Sequence, residues 1–174
     1  MNKIKSTSRA LSLFFFIACC VYPLINLYVA INDLPTLMNW TFLPIDQLSH
    51  FSLTHRLIIV VLSYIPIAFT VMICFQLAQL FRLYEKKIFF ERENIQRIHC
   101  IGKYMLIGQL VQCILYQPVM MWVLTCMQPV GQRSIMLGFG TTNLSTLATG
   151  VIIIVASWIA TEANQLKKDV QLTI

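Results

Sequence analysis

Asp46, His50 and His55 are of the residue types that hold a divalent metal ion. Their spacing works against it. Residues four apart share a helix face and residues five apart do not, so one regular helix does not bring all three to a single ion. We expect solvated loop histidines and no metal site. The six cysteines, Cys19, Cys20, Cys74, Cys100, Cys113 and Cys126, stand in or beside apolar runs and form no C-x-x-C pair. Neither a zinc site nor a disulfide framework is expected from them. Hydrolytic or proton-moving chemistry inside an apolar protein needs ionisable groups at depth. The sequence has no H-E-x-x-H, no paired aspartates within an apolar run, and no serine at a depth comparable with a histidine. The expectation is a protein that is not an enzyme and carries no cofactor.

The polar side chains that do interrupt the apolar runs are mostly amides: Gln76, Gln79, Gln109 and Gln112, with Asn26 and Gln117. Gln76 and Gln79 are three residues apart, as are Gln109 and Gln112, so each pair shares a helix face. In lipid such side chains hydrogen-bond across helices, for about 0.6 to 2 kcal/mol each. The alternative is a polar lining for a small ligand, which amides can supply without moving protons.

What must position these groups follows from composition. A chain of 174 residues that is 57% hydrophobic and 11% charged has too little polar side chain to cover a water-soluble globule, whose charged share is about 25%. Crossing a hydrocarbon core of about 30 Å takes roughly 20 apolar residues. Four stretches qualify, at about 11–31, 57–80, 101–124 and 142–160, and apart from Lys103 near the start of the third they lack Asp, Glu, Lys, Arg and His. The predicted fold class is all-α: one domain, a four-helix transmembrane bundle with a loop at 81–100 and a tail at 161–174.

Basic residues set the predicted orientation, because short loops rich in Lys and Arg stay on the cytoplasmic side. Lys3, Lys5 and Arg9 precede the first stretch, Arg82, Lys86, Lys87, Arg92, Arg97 and Lys103 surround the middle loop, and Lys167 and Lys168 lie in the tail. Only Arg56 and Arg133 fall opposite. Both termini are therefore expected in the cytoplasm, and the net charge of +6 reads as a topology signal, with no direct nucleic-acid binding. Phe15-Phe16-Ile17-Ala18-Cys19 behind a basic start satisfies a loose lipoprotein pattern. The apolar run continues a dozen residues past Cys19, however, so the first helix is expected to be retained.

No internal repeat is evident. The outer loop of about 32–54 carries Pro35 and Pro44 as helix breakers and Trp40, Phe42 and Phe51 as interfacial aromatics. Pro129 and three glycines mark turns in the loop of about 127–141. Pro66 and Pro118 fall inside helices two and three, where each removes a backbone hydrogen bond and can kink the rod. In helix four the small residues Ser145, Thr149, Ala156 and Ala160 define a face that a neighbouring helix could approach closely, within the bundle or in a dimer.

The middle segment is the most informative. Phe89 and Phe90 are followed by Glu91 and Glu93, then by apolar Ile95, Ile98 and Ile101. Spacing by three predicts an amphipathic helix that runs into the third membrane helix without a break, and early acidic residues suit its positive end. Phe90, Glu93, Asn94 and Gly102 at this spacing, together with Leu166, Asp169, Leu172, Thr173 and Ile174 at the far end, resemble the signature of a family of uncharacterised bacterial membrane proteins, domain of unknown function 2975. That resemblance implies four membrane helices and a multi-pass protein of the bacterial cytoplasmic (inner) membrane. It also implies a membrane partner for a small helix-turn-helix regulator, since similar proteins are often encoded beside one. Three positions depart from the pattern: Glu91 replaces a hydroxyl residue that could cap the helix, Lys87 replaces a turn glycine, and Gln171 replaces an acid.

Two functions of different class are expected from these features. One is an accessory or regulatory protein whose middle loop and tail dock a cytoplasmic partner, the apolar Leu172-Thr173-Ile174 end folding against Phe89, Phe90, Arg92 and Arg97 or being captured by that partner. The other is a small transporter or channel-like oligomer with an amide-lined interior. Membrane lipid is a partner in both, and a homo-oligomer fits either.

Overall fold

The computed structural model describes residues 2–32, 53–86, 91–127 and 141–172. Among them the chain is helical, with no strand. The outer-loop residues, with Asp46 and His50, lie outside the described residues, as do Phe90, Thr173 and Ile174. Helix α1 spans Asn2–Asn32, α2 Leu53–Glu85 and α3 Arg92–Val111; a π-helical turn, Gln112–Tyr116, joins α3 to α4, Gln117–Met127; α5 spans Thr141–Leu172. Four rods result, each containing a stretch long and apolar enough to cross a membrane: Lys5–Val29, Leu57–Glu85, Arg92–Val123 and Asn143–Leu166.

The rods overshoot the apolar stretches that predict them. At 1.5 Å per residue, the 33 residues of α2 and the 32 of α5 each run about 50 Å, well beyond a 30 Å core. Polarity and helicity are separate properties: the Lys, Arg, Glu and Gln flanking the apolar runs are good helix formers. The segment 81–100 is thus mostly helix, as is the tail through Leu172.

The π turn has a local cause. Pro118 offers no N–H and its ring crowds the carbonyl four residues back. The chain widens just before it, and the Gln117 N–H reaches five residues back to the Gln112 carbonyl. Pro66 and Pro23 lie inside α2 and α1, both of which remain α-helical throughout.

Packing follows chain order. Helix α1 lies on α2, α2 on α3, and α3 on α5, while α1 and α5 share at most marginal contact among the described residues. The bundle expected from sequence is therefore an open array of four rods. Ser12 Oγ donates to the Ala78 carbonyl at 2.9 Å and Tyr64 Oη to the Pro23 carbonyl at 3.1 Å, tying α1 to α2. Phe15 stacks parallel on Phe81 across the same seam, 5.7 Å between centroids. On the seam of α3 and α5, Gly102 and Gly150 allow backbones to meet: a Cβ on Gly102 would stand 3.0 Å from the Gly150 carbonyl oxygen. Of the two packings expected for the small-residue face of helix four, the one within the bundle is corrected here. Ser145, Thr149 and Ala156 are exposed, and α5 packs on α3 instead through Gly150 and Ser157, because the close approach is set where α3 itself has a glycine.

Large apolar side chains point outward along every rod. Phe14, Leu24, Trp122 and Trp158 are each more than 60% exposed, which in water would be a severe solvation cost and in lipid is none.

Candidate functional site

The basic residues gather at one end of the array, where α2 stops, α3 starts, α1 begins and α5 runs out. Glu91 is the N-cap of α3, in extended conformation (φ −85°, ψ 158°), and its side chain makes no capping bond. Its carbonyl accepts from the Asn94 and Ile95 N–H groups at 3.0 and 3.3 Å. The first turn is thus closed by backbone, and the hydroxyl missing at Glu91 is not replaced.

The residues of the family-like signature separate by role. Asn94 is 1% exposed and Gly102 is buried against α5, so neither is available to a partner, and Gly102 sets the approach of α3 to α5. Glu93 is exposed and pairs with Arg97 at 3.4 Å. Leu166 is 62% exposed on α5. Leu172 ends that helix and Asp169 lies within its last turn.

The four amides of the sequence reading occupy different places. Gln76 accepts from Arg97 Nη1 at 3.0 Å across the seam of α2 and α3. Gln109 donates to Asn143 Oδ1 at 2.9 Å and contacts Cys113 Sγ at 3.4 Å, on the seam of α3 and α5. Gln79 faces a recess beside α1, and Gln112 opens the π turn. They do not converge on one interior.

Two recesses open at the basic end. The first, about 460 Å³, lies between α3 and α5 and is lined by Arg92, Gln96, His99, Trp158, Thr161 and Gln165 among others. His99 Nδ1 is 3.0 Å from Ser157 Oγ, a pairing that sequence inspection missed by placing no serine and histidine at one depth. The two are 58 positions apart, and only the packing of α3 on α5 aligns them. Serine and histidine in contact suggest nucleophilic chemistry, but Ser157 is 1% exposed and its Oγ also lies 2.6 Å from the Ile154 carbonyl. That shorter contact takes the hydroxyl proton, so His99 is the donor to Ser157. The serine is thereby a helix fastener and not an activated nucleophile.

The second recess, about 810 Å³, lies beside α1, α2 and the start of α3 and is edged by Arg9, Arg82, Lys86 and Arg97. No group of three or more His, Cys, Asp or Glu suited to a metal occurs among the described residues.

Four long helices, each with a stretch long and apolar enough to cross a membrane, with exposed large apolar side chains and a polar, basic end, define an all-helical architecture that suits a multi-pass membrane protein. The chain matches, over residues 32–174, the family described as Protein of unknown function (DUF2975), and it belongs to that family. The match takes in α2 to α5, so both glycines of the helix crossing lie within it. No curated protein and no solved structure matches the chain.

Proposed function

We propose that the protein is a non-enzymatic, multi-pass protein of the bacterial inner membrane, with both termini in the cytoplasm, which receives a cytoplasmic protein partner at the cleft between α3 and α5. The observation that carries this reading is the cleft itself. It is open, lies at the basic end of α3 and α5, and combines exposed polar groups (Arg92, Gln96, Thr161, Gln165) with one exposed aromatic anchor, Trp158. Polar groups around an aromatic anchor are what a protein partner uses. A small helix-turn-helix regulator is the partner that the family resemblance implies. A channel-like oligomer finds less support, because Gln76 and Gln109 are engaged on two different seams.

The test is site-specific photocrosslinking in cells, with the reactive group at Gln165 and, as control, at Leu144 near the other end of α5. A partner captured from Gln165, absent from Leu144 and lost in Trp158→Glu, then rebound by the purified protein, is the expected result. Capture of nothing but the protein itself at both positions overturns the docking reading. Reporter fusions after residues 86 and 172 test the orientation, and periplasmic activity of either would reverse it.

A further inference from the structure

Because α1 and α3 both lie against α2 and α1 does not pack on α5, the array leaves a trench beside α2 that α1 and the start of α3 border. Its polar end carries four cations, Arg9 from α1, Arg82 and Lys86 from α2, and Arg97 from α3, against two carboxylates, Glu85 and Glu93. Glu93 is already paired with Arg97, and Arg97 is held in place by Gln76. The excess is positive.

Deeper in, the lining changes character. From Arg9 to Ile17 the α1 wall runs about 12 Å along the helix axis, and there the trench meets Leu13, Phe16, Ile17 and Phe75. These side chains are 42–59% exposed, so nothing among the described residues covers them. Phe16 and Phe75 face one another across the trench, 6.3 Å between centroids.

We propose that this trench is a binding site for one anionic phospholipid, its phosphate among Arg9, Arg82, Lys86 and Arg97 and an acyl chain along Leu13, Phe16, Ile17 and Phe75. The proposal rests on the reading that the helices lie in a membrane with the basic end at its surface. Charge complementarity selects the occupant. A zwitterionic lipid leaves the excess positive charge unmatched, whereas a basic pocket at the cytoplasmic face of membrane helices suits an anionic headgroup. A second copy of the chain would bring the same four cations and be repelled. A cytoplasmic peptide would have to enter the apolar depth of the bilayer to fill the inner half, burying unsatisfied backbone groups.

The experiment uses the full chain, purified and exchanged into phosphatidylcholine nanodiscs, with phosphatidylglycerol titrated in and bound lipid read by native mass spectrometry and thermal midpoint. Wild type is expected to retain one phosphatidylglycerol saturably. Each basic residue near an anionic headgroup is worth roughly fivefold in affinity, so Arg9→Gln with Arg82→Gln is expected to weaken retention by roughly thirtyfold. Arg9→Lys with Arg82→Lys keeps the charge and stays near wild type. Arg82→Gln alone is expected to lose roughly fivefold, and Lys103→Gln, which removes the same charge from outside the trench, to change nothing. Equal losses from these two single variants would mean diffuse surface attraction and overturn the site, as would equal retention of phosphatidylcholine. Glycerol phosphate giving the same stabilisation would make it a headgroup-only anion site and overturn the lipid. Release of the protein from cell membranes by alkaline carbonate would instead defeat the membrane reading, a separate outcome. Monodisperse elution of each variant guards against misfolding.

Discussion

Substituting Gly102 by alanine sets two effects of known sign against each other. Within a helix, alanine is better than glycine by up to about 1 kcal/mol, so propensity alone predicts stabilisation. The added Cβ would lie 2.7 Å from Ile154 Cγ1, 3.0 Å from the Gly150 carbonyl oxygen and 3.1 Å from Ile153 Cγ2. The isoleucine atoms sit on the β-branch, which a helix holds to one rotamer, and a carbonyl inside a helix cannot turn aside either, so α3 and α5 must part. Overpacking of this kind costs about 1–3 kcal/mol, and the net expectation for Gly102→Ala is a loss of up to about 2 kcal/mol once propensity is subtracted. Gly150→Ala is the internal control. Its Cβ would meet Leu106 Cγ and Cδ2 at 3.1 and 3.2 Å, both on a flexible side chain, and the Gly102 carbonyl oxygen only at 3.3 Å, so it should be markedly milder. Unfolding free energies measured by steric trapping in bicelles decide the order. Stabilisation by Gly102→Ala, or a larger loss from Gly150→Ala, would refute the claim that backbone approach at this crossing limits the fold.

Three further outcomes are expected. A double-mutant cycle of Gln109→Leu and Asn143→Leu, read by the same unfolding assay, should give a favourable coupling of about 0.6 kcal/mol and no more than about 2; zero coupling would mean the bond at 2.9 Å contributes nothing. Ser157→Ala deprives the His99 ring nitrogen of its acceptor and should cost about 1–3 kcal/mol, with the ring's line width in NMR spectra rising as its orientation is released. Glu91→Ser supplies the missing N-cap oxygen to α3 and should raise the thermal midpoint, the gain being about 0.5–1 kcal/mol; a fall would show that the carboxylate's attraction to the helix end outweighs the lost bond.

The helices themselves were legible because crossing a membrane demands a length and an absence of charge that can be counted directly in 11–31 or 57–80. Their ends were not, since nothing in hydropathy tells a lysine on a helix from a lysine in a loop, and Arg92 and Leu172 prove to be helical. Pro118 announced a disturbance in the third rod, and the structure gives it the form of a π turn. Pairing was the harder part. Gln76 and Gln109 could be named from the sequence, but Arg97 and Asn143, their partners, depend on which faces meet. The contact of His99 with Ser157 carries no local signal at all: a small residue on α5 looks alike whether it faces lipid or a histidine. The face of Ser145, Thr149 and Ala156 failed as a packing face within the bundle for that reason. A spacing of four marks a face as smooth, and the glycine opposite decides which smooth face is used.

Helix α3 stands between the two recesses. Arg97 and His99 are two residues apart, so their side chains leave the axis about 200° from each other; one reaches Gln76 on α2 and the other Ser157 on α5. A turn of α3 about its own axis moves both at once, in opposite senses relative to their neighbours. Ligands at the trench and at the cleft would be coupled to the extent that each binds one setting of this shared wall better than the other, and any such influence would be equal in both directions.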